Sequence, residues 1–200
     1  MIWKYDVSKH IKDVELKYPP VIIRVNKFNE DTASEFATKI AMAHNTGQGV
    51  IPIVIDSYGG EVYSLMSMIA SIKSSDLPIM TVIEGKAMSC GAILFSFGSE
   101  GMRYMDKNAT LMIHDVSSGA FGKVEDMEVR VDEAKRLNKK VYRMMARNCG
   151  QQKDFFWKKV NAKNRTDWYI TPKEALEVNL ANHVKLPKMN ISVSVDYFVE

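Results

Sequence analysis

The sequence predicts an α/β fold, and three observations predict it. Apolar runs of strand length alternate with segments of helical periodicity along most of the 200 residues. Two of those runs, VIPIVID at 50–56 and IMTVIEG at 79–85, are nearly continuous in apolar residues, as in strands buried on both faces. Turn signals follow the strands rather than joining them as hairpins, with SYGG at 57–60 the clearest. A mostly parallel sheet with right-handed crossovers follows.

Each element has its own warrant. PPVIIRV at 19–25 is β-rich after a proline pair and reads as the first strand. DTASEFATKIAMAHNTG at 31–47 reads as a helix, with Thr32 and Glu35 as its capping box, Phe36, Ile40 and Ala43 on one face, and Gly47 as its stop. The strand at 50–56 and the SYGG turn lead into a helix at 61–75, with Val62, Leu65, Met66, Ile69 and Ile72 on one side. The strand at 79–85 is followed by a short, almost wholly apolar helix at 90–99. MRYMD at 102–106 and TLMIHDV at 110–116 read as strands. A long helix over 123–148 keeps Val124, Met127, Val131, Ala134, Leu137, Val141 and Met144 in helical register. The segment 168–180 is a turn into a helix with Pro172 near its start, and NISVSVDYFV at 190–199 is strand-like.

Composition narrows the class. The chain is 46% hydrophobic and 26% charged, with a net charge of +3 and no basic stripe, so no nucleic-acid partner is implied. No apolar run approaches the roughly 20 residues of a membrane span, and the charged N-terminus does not read as a signal peptide. Cys90 and Cys149 form neither a disulfide framework nor a metal-ligand pattern, so a cytoplasmic location is expected and no metal is implied. The 13 methionines, many in helical stretches, suit adaptable packing in cores and subunit contacts. No internal repeat or long linker divides the chain, and a single domain over 1–200 is expected.

In such folds sites gather at the carboxyl ends of strands. DSYGG and GKAMSCGA both lie there, the second presenting Ser89 between a strand and a buried helix. Small residues at that junction serve close packing; the alternative is a nucleophile on a tight turn. A serine nucleophile needs a base, a group that orients the base, and N–H donors for the oxyanion. Of the four histidines, His10 lies in the charged N-terminal segment, His44 closes a helix, and His183 sits in a polar loop. His114 ends the apolar strand TLMIH and so also lies at a carboxyl edge.

These motifs together resemble the proteolytic subunit of the Clp protease, ClpP. SYGG resembles the family's oxyanion-loop motif Ser-Pro-Gly-Gly, and GKAMSCGA resembles its nucleophile segment Gly-x-Ala-x-Ser-x-Gly-Ala. LMIH resembles the strand end that carries its base, and DWYITPKEALEVNLAN the segment that carries its acid. The order agrees: His114 follows Ser89 by 25 residues and Asp167 follows His114 by 53. The resemblance spans roughly residues 20–185. It implies a ClpP/crotonase-like spiral of βαβ units with a protruding handle strand and helix at 117–148. It implies Ser89 as nucleophile, His114 as general base and Asp167 as orienting carboxylate. The backbone N–H groups of Gly60 and Cys90 are then the oxyanion donors. Tyr58, Gly59, Ser118, Gly119, Ala120 and Phe121 would flank an extended polypeptide substrate that adds a strand. The activity implied is that of a serine endopeptidase with no cofactor. Its assembly would be a homo-oligomer of heptameric rings stacked as a tetradecamer, with ATP hydrolysed, if at all, by an AAA+ unfoldase partner.

The departures from the family pattern are local. Tyr58 stands in place of a proline, and HDV in place of a His-Gln-Pro-like sequence. Residues 1–18 do not resemble the axial loop that docks an unfoldase, and 186–200 is unlike the common tail. They suggest an unusual branch of the family, with a viral origin as one reading. Other readings stay open. Cys90 could be the nucleophile, Lys86 could form a Ser-Lys dyad, and Asp106 or Asp115 could replace Asp167. The chain could also be a non-catalytic ring or assembly subunit, or act on acyl-CoA as crotonase relatives do.

Overall fold

The computed structural model describes residues 18–116, 123–162, 164 and 166–190. His10, Ser118, Gly119, Ala120, Phe121 and the expected strand at 190–199, apart from Asn190, lie outside the described residues.

The described strands form one mixed, mostly parallel sheet. Strands β1 (Ile23–Val25), β2 (Ile51–Ser57), β3 (Ile79–Met88), β4 (Arg103–Met105) and β7 (His183–Val184) lie side by side and pair in parallel. Strand β5 (Thr110–Ile113) pairs in parallel with the far end of β3, and β6 (Trp168–Ile170) pairs antiparallel with β5. Helices α1 (Glu30–Ala43), α2 (Val62–Lys73), α3 (Cys90–Phe95), α4 (Val124–Asn148), α5 (Phe155–Ala162) and α6 (Pro172–Glu177) complete the fold. None of the described helices is long and apolar enough to cross a membrane.

Strand β2 shows why its sequence is continuously apolar. Ile51, Ile53 and Ile55 enter the main core on one face, and Val54 packs with Met80 and Val82 on the other. Helix α1 starts one residue earlier than expected, because Asn29 is its N-cap. The Asn29 side chain accepts from the Thr32 amide, and the Thr32 hydroxyl accepts from the Asn29 amide at 3.1 Å. Thr32 is therefore the third helical residue, and Glu35 takes no part in the box.

Helix α4 has the expected bounds but not the expected continuous core face. Leu137, Val141, Tyr142, Met145 and Ala146 are buried, whereas Val124, Val129 and Val131 are exposed. The buried side chains of α4 thus all come from its second half. Its first half carries the exposed Val124, Val129 and Val131, and there Glu133 accepts the Tyr63 hydroxyl of α2 at 2.6 Å.

Strand β3 decides where the site lies. Its first half, Thr81–Ile83, pairs with Arg103–Met105 of β4, and its second half, Lys86–Met88, pairs with Thr110–Met112 of β5. Between them the register against β2 shifts, from Ile55 opposite Ile83 to Ser57 opposite Ala87. The extra residues of this bulge, Glu84 to Lys86, carry β3 from one neighbour to the next.

Candidate functional site

Strand register brings Ser89, His114 and Asp167 to one edge. Met88 lies opposite Met112 in the parallel pair, and the Ser89 amide donates to the Met112 carbonyl at 2.9 Å. Ile113 lies opposite Trp168 in the antiparallel pair, so the next residue out on β5, His114, faces the preceding residue on β6, Asp167. His114 Nδ1 lies 3.5 Å from Asp167 Oδ1. That is ion-pair range once the imidazole is protonated, and somewhat longer than a made hydrogen bond.

Ser89 sits where β3 turns into α3. Its φ of 54° and ψ of −118° fall in a region that non-glycine residues rarely occupy, at a cost of about 1–3 kcal/mol. Among the described residues, the other non-glycine positions with positive φ are both asparagine, which tolerates such angles. Close packing alone gives no reason for a serine to be held at such angles. Its hydroxyl is not spent on capping α3, since no side-chain cap bond is made.

The SYGG turn is stacked directly on this serine. A Cβ at Gly59 would lie 2.8 Å from Ser89 Cβ and 3.0 Å from the Met88 carbonyl oxygen, so only glycine fits. Gly60 forms a parallel bridge with Phe28, and the Phe28 carbonyl takes the Glu61 amide at 2.9 Å. In such a bridge the groups of Gly60 itself turn away from Phe28. Its carbonyl accepts the Cys90 thiol at 3.2 Å, which ties the turn to the start of α3. Cys90 is the first residue of α3, and its N–H has no intrahelical acceptor. Gly60 and Cys90, the two positions expected to supply oxyanion donors, therefore lie together next to Ser89. Ser57 shapes the turn, its hydroxyl accepting from the Gly59 amide at 3.0 Å and donating to the Asn26 carbonyl at 2.9 Å. The serine-first turn was the signal available for this role.

The rival groups are otherwise engaged. Asp115 accepts the Tyr142 hydroxyl at 2.8 Å, and burial followed by that bond pushes the Tyr142 hydroxyl pKa up. Asp106 accepts the Asn108 amide within its own turn. Lys86 Nζ is ion-paired to Asp56 at 2.9 Å and lies 4.5 Å from the centre of the Tyr58 ring. Burial pushes the Cys90 thiol up to about 11 and the Cys149 thiol up to about 12, so both stay protonated well above neutral pH. We expect neither cysteine to react with iodoacetamide in the native protein at pH 8. Carboxamidomethylation of Cys90 within minutes, read by peptide mass, would show that its thiol is accessible and reactive.

The two other described histidines, His44 and His183, have structural partners. His44 Nδ1 lies 2.8 Å from the Ile40 carbonyl, and His183 stacks on Tyr104 with its Nε2 2.9 Å from the Gly101 carbonyl. No group of three or more His, Cys, Asp and Glu suited to a metal ion occurs among the described residues. In comparison with known families, the model described as Clp protease matches residues 10–187, most of the chain.

Proposed function

The chain belongs to the Clp protease family, and from that premise we propose that it is a serine endopeptidase that cuts unfolded polypeptide inside a ring-shaped chamber. The observation that carries the reading is the strand register that aligns Ser89, His114 and Asp167 at one edge. Ser89 Oγ attacks the scissile carbonyl while His114 takes its proton and then delivers it to the leaving amine. Asp167 orients His114 and stabilises the imidazolium. The N–H groups of Gly60 and Cys90 receive the oxyanion, a term worth about 2.7–4 kcal/mol per donor in such sites. Water then hydrolyses the acyl-enzyme with His114 as base.

Substrate enters as an extended strand along Tyr58–Gly60, as the family resemblance implies, and Ser118–Phe121 are the other residues it would meet. Homo-oligomerisation into stacked heptameric rings supplies the chamber, and the exposed apolar first half of α4 is the surface that needs a partner. An AAA+ unfoldase, where one is used, would bring the ATP; the peptidase itself needs no cofactor.

Reaction with a fluorophosphonate probe, mapped by peptide mass with assembly size measured on the same sample, tests the proposal. Labelling confined to Ser89 in a large ring is the expected result. A second reading, an assembly subunit without turnover, draws on the 3.5 Å separation of His114 and Asp167. A large ring with no labelled serine would favour it.

The oxyanion turn gives an independent prediction. A Cβ at Gly60 would stand 2.5 Å from the Phe28 carbonyl oxygen, at a φ of 148° that side chains avoid. Gly60→Ala is expected to lower kcat about 10²-fold by displacing one oxyanion donor, with the sheet retained by circular dichroism. Peptide hydrolysis within threefold of the unsubstituted chain would remove Gly60 from the oxyanion hole.

A further inference from the structure

We propose that Asp56, Lys86 and Tyr58 form a clamp that holds the SYGG turn in register over Ser89, with Lys86 as a positioning residue. In its catalytic consequence this rests on the peptidase reading above. The bulge in β3 leaves the Lys86 amide without its regular place in the ladder against β2. Asp56 fills that place with its side chain: Oδ1 accepts the Lys86 amide at 3.2 Å and the Lys86 ammonium at 2.9 Å. One carboxylate oxygen thus stitches both the backbone and the side chain of the bulged residue. Gly85 lies against the same oxygen, where a Cβ would come within 3.1 Å.

The ammonium then reaches past Asp56 to the face of Tyr58, 4.5 Å from the ring centre. Tyr58 is 75% exposed, so packing on this chain's core does not fix it. The cation–π contact with Lys86 is the restraint the structure supplies. Lys86 is only 25% exposed in its side chain, which strengthens both of its contacts relative to a free surface pair. Asp56 and Tyr58 flank Ser57 on one strand end, and Lys86 lies three residues before Ser89 on the next. The clamp therefore ties the segment carrying one N–H donor to the segment carrying the nucleophile and the other donor.

The test uses the full-length assembled chain with Lys86→Met, Lys86→Arg, Tyr58→Ala and the double variant Lys86→Met/Tyr58→Ala. Two quantities are read: amide hydrogen exchange over residues 57–62, and kcat and KM for an extended peptide, with Ser89→Ala as the background. Lys86→Met is expected to speed exchange in that segment about tenfold and to lower kcat about tenfold with KM nearly constant. Lys86→Arg should recover most of both, because a guanidinium can keep the pair and the ring contact. The double variant should lose less than the sum of the two single losses, since both single variants break the same ring contact. Unchanged exchange in Lys86→Met, faster exchange with kcat kept, or fully additive losses would each overturn the clamp. The exchange measurement needs no turnover. A chain whose hydrolysis does not depend on Ser89 would sink the peptidase reading while exchange still decides the clamp.

Discussion

Ser89→Ala is expected to lower kcat/KM for peptide hydrolysis by at least about 10⁴-fold while leaving the fold and the assembly intact. The size of the effect follows from what remains. With the hydroxyl gone, the oxyanion donors and substrate binding still act on a water molecule, but no acyl-enzyme can form. The structure makes the substitution a clean one. The Ser89 hydroxyl caps nothing in α3, so its loss leaves no orphaned helix amide that the serine had satisfied. The Ser89 amide, which stitches β3 to β5 through the Met112 carbonyl, is unaffected by the change. The positive φ at this position is as costly for alanine as for serine, so the strain is common to both proteins. Hydrolysis of a fluorogenic peptide, with assembly size as the control, reads the outcome. Full activity in Ser89→Ala would assign the chemistry to another group, and Cys90, buried and bonded to the Gly60 carbonyl, is poorly placed to be that group.

The two turns that build the site could be read from sequence because their constraints are local. A glycine pair after a buried strand, and a serine among small residues before an apolar helix, state where backbone must come close. The long helix α4 was legible for the same reason, since 25 residues of periodic sequence carry their own signal. What was not legible depends on contacts distant in the chain. Strand β3 runs on through Lys86–Met88, past its expected end at Gly85, because β5 offers it a new partner there. The three residues of β6 and two of β7 are too short for any periodicity, and pairing alone makes them strands. Helix α5, over FFWKKVNA, is similarly brief and was not foreseen; Phe156 and Val160 anchor it in the core. The exposed first half of α4 has the same apolar spacing as its buried second half. Sequence cannot separate packing within this chain from packing on another. Asp56 escaped notice because its role exists only once the bulge in β3 puts the Lys86 amide opposite it.

Asp167→Asn is expected to lower kcat about 10²- to 10⁴-fold at neutral pH with KM little changed. In the proposed mechanism His114 presents an unprotonated Nε2 to Ser89, which requires its proton on Nδ1, the nitrogen that faces Asp167. A carboxylate can only accept, and so it selects that tautomer. An asparagine can turn its amide and donate, which stabilises the opposite tautomer and leaves Nε2 carrying a proton that it cannot exchange for that of Ser89. Asp167 is about half exposed, so neither variant leaves a buried group stranded and the fold should not suffer. Asp167→Ala is therefore the informative companion. Water can occupy the vacated position and accept from Nδ1, so its loss in kcat should be smaller than that of the asparagine variant. The starting separation of 3.5 Å sharpens the comparison. If the pair tightens only when substrate or neighbouring subunits are in place, both variants should bind peptide normally and fail in the chemical step. Equal, threefold or smaller losses in both would mean that another acceptor orients His114. Asp115, next to His114 in the chain, already accepts the Tyr142 hydroxyl at 2.8 Å and would have to serve both groups to be that acceptor.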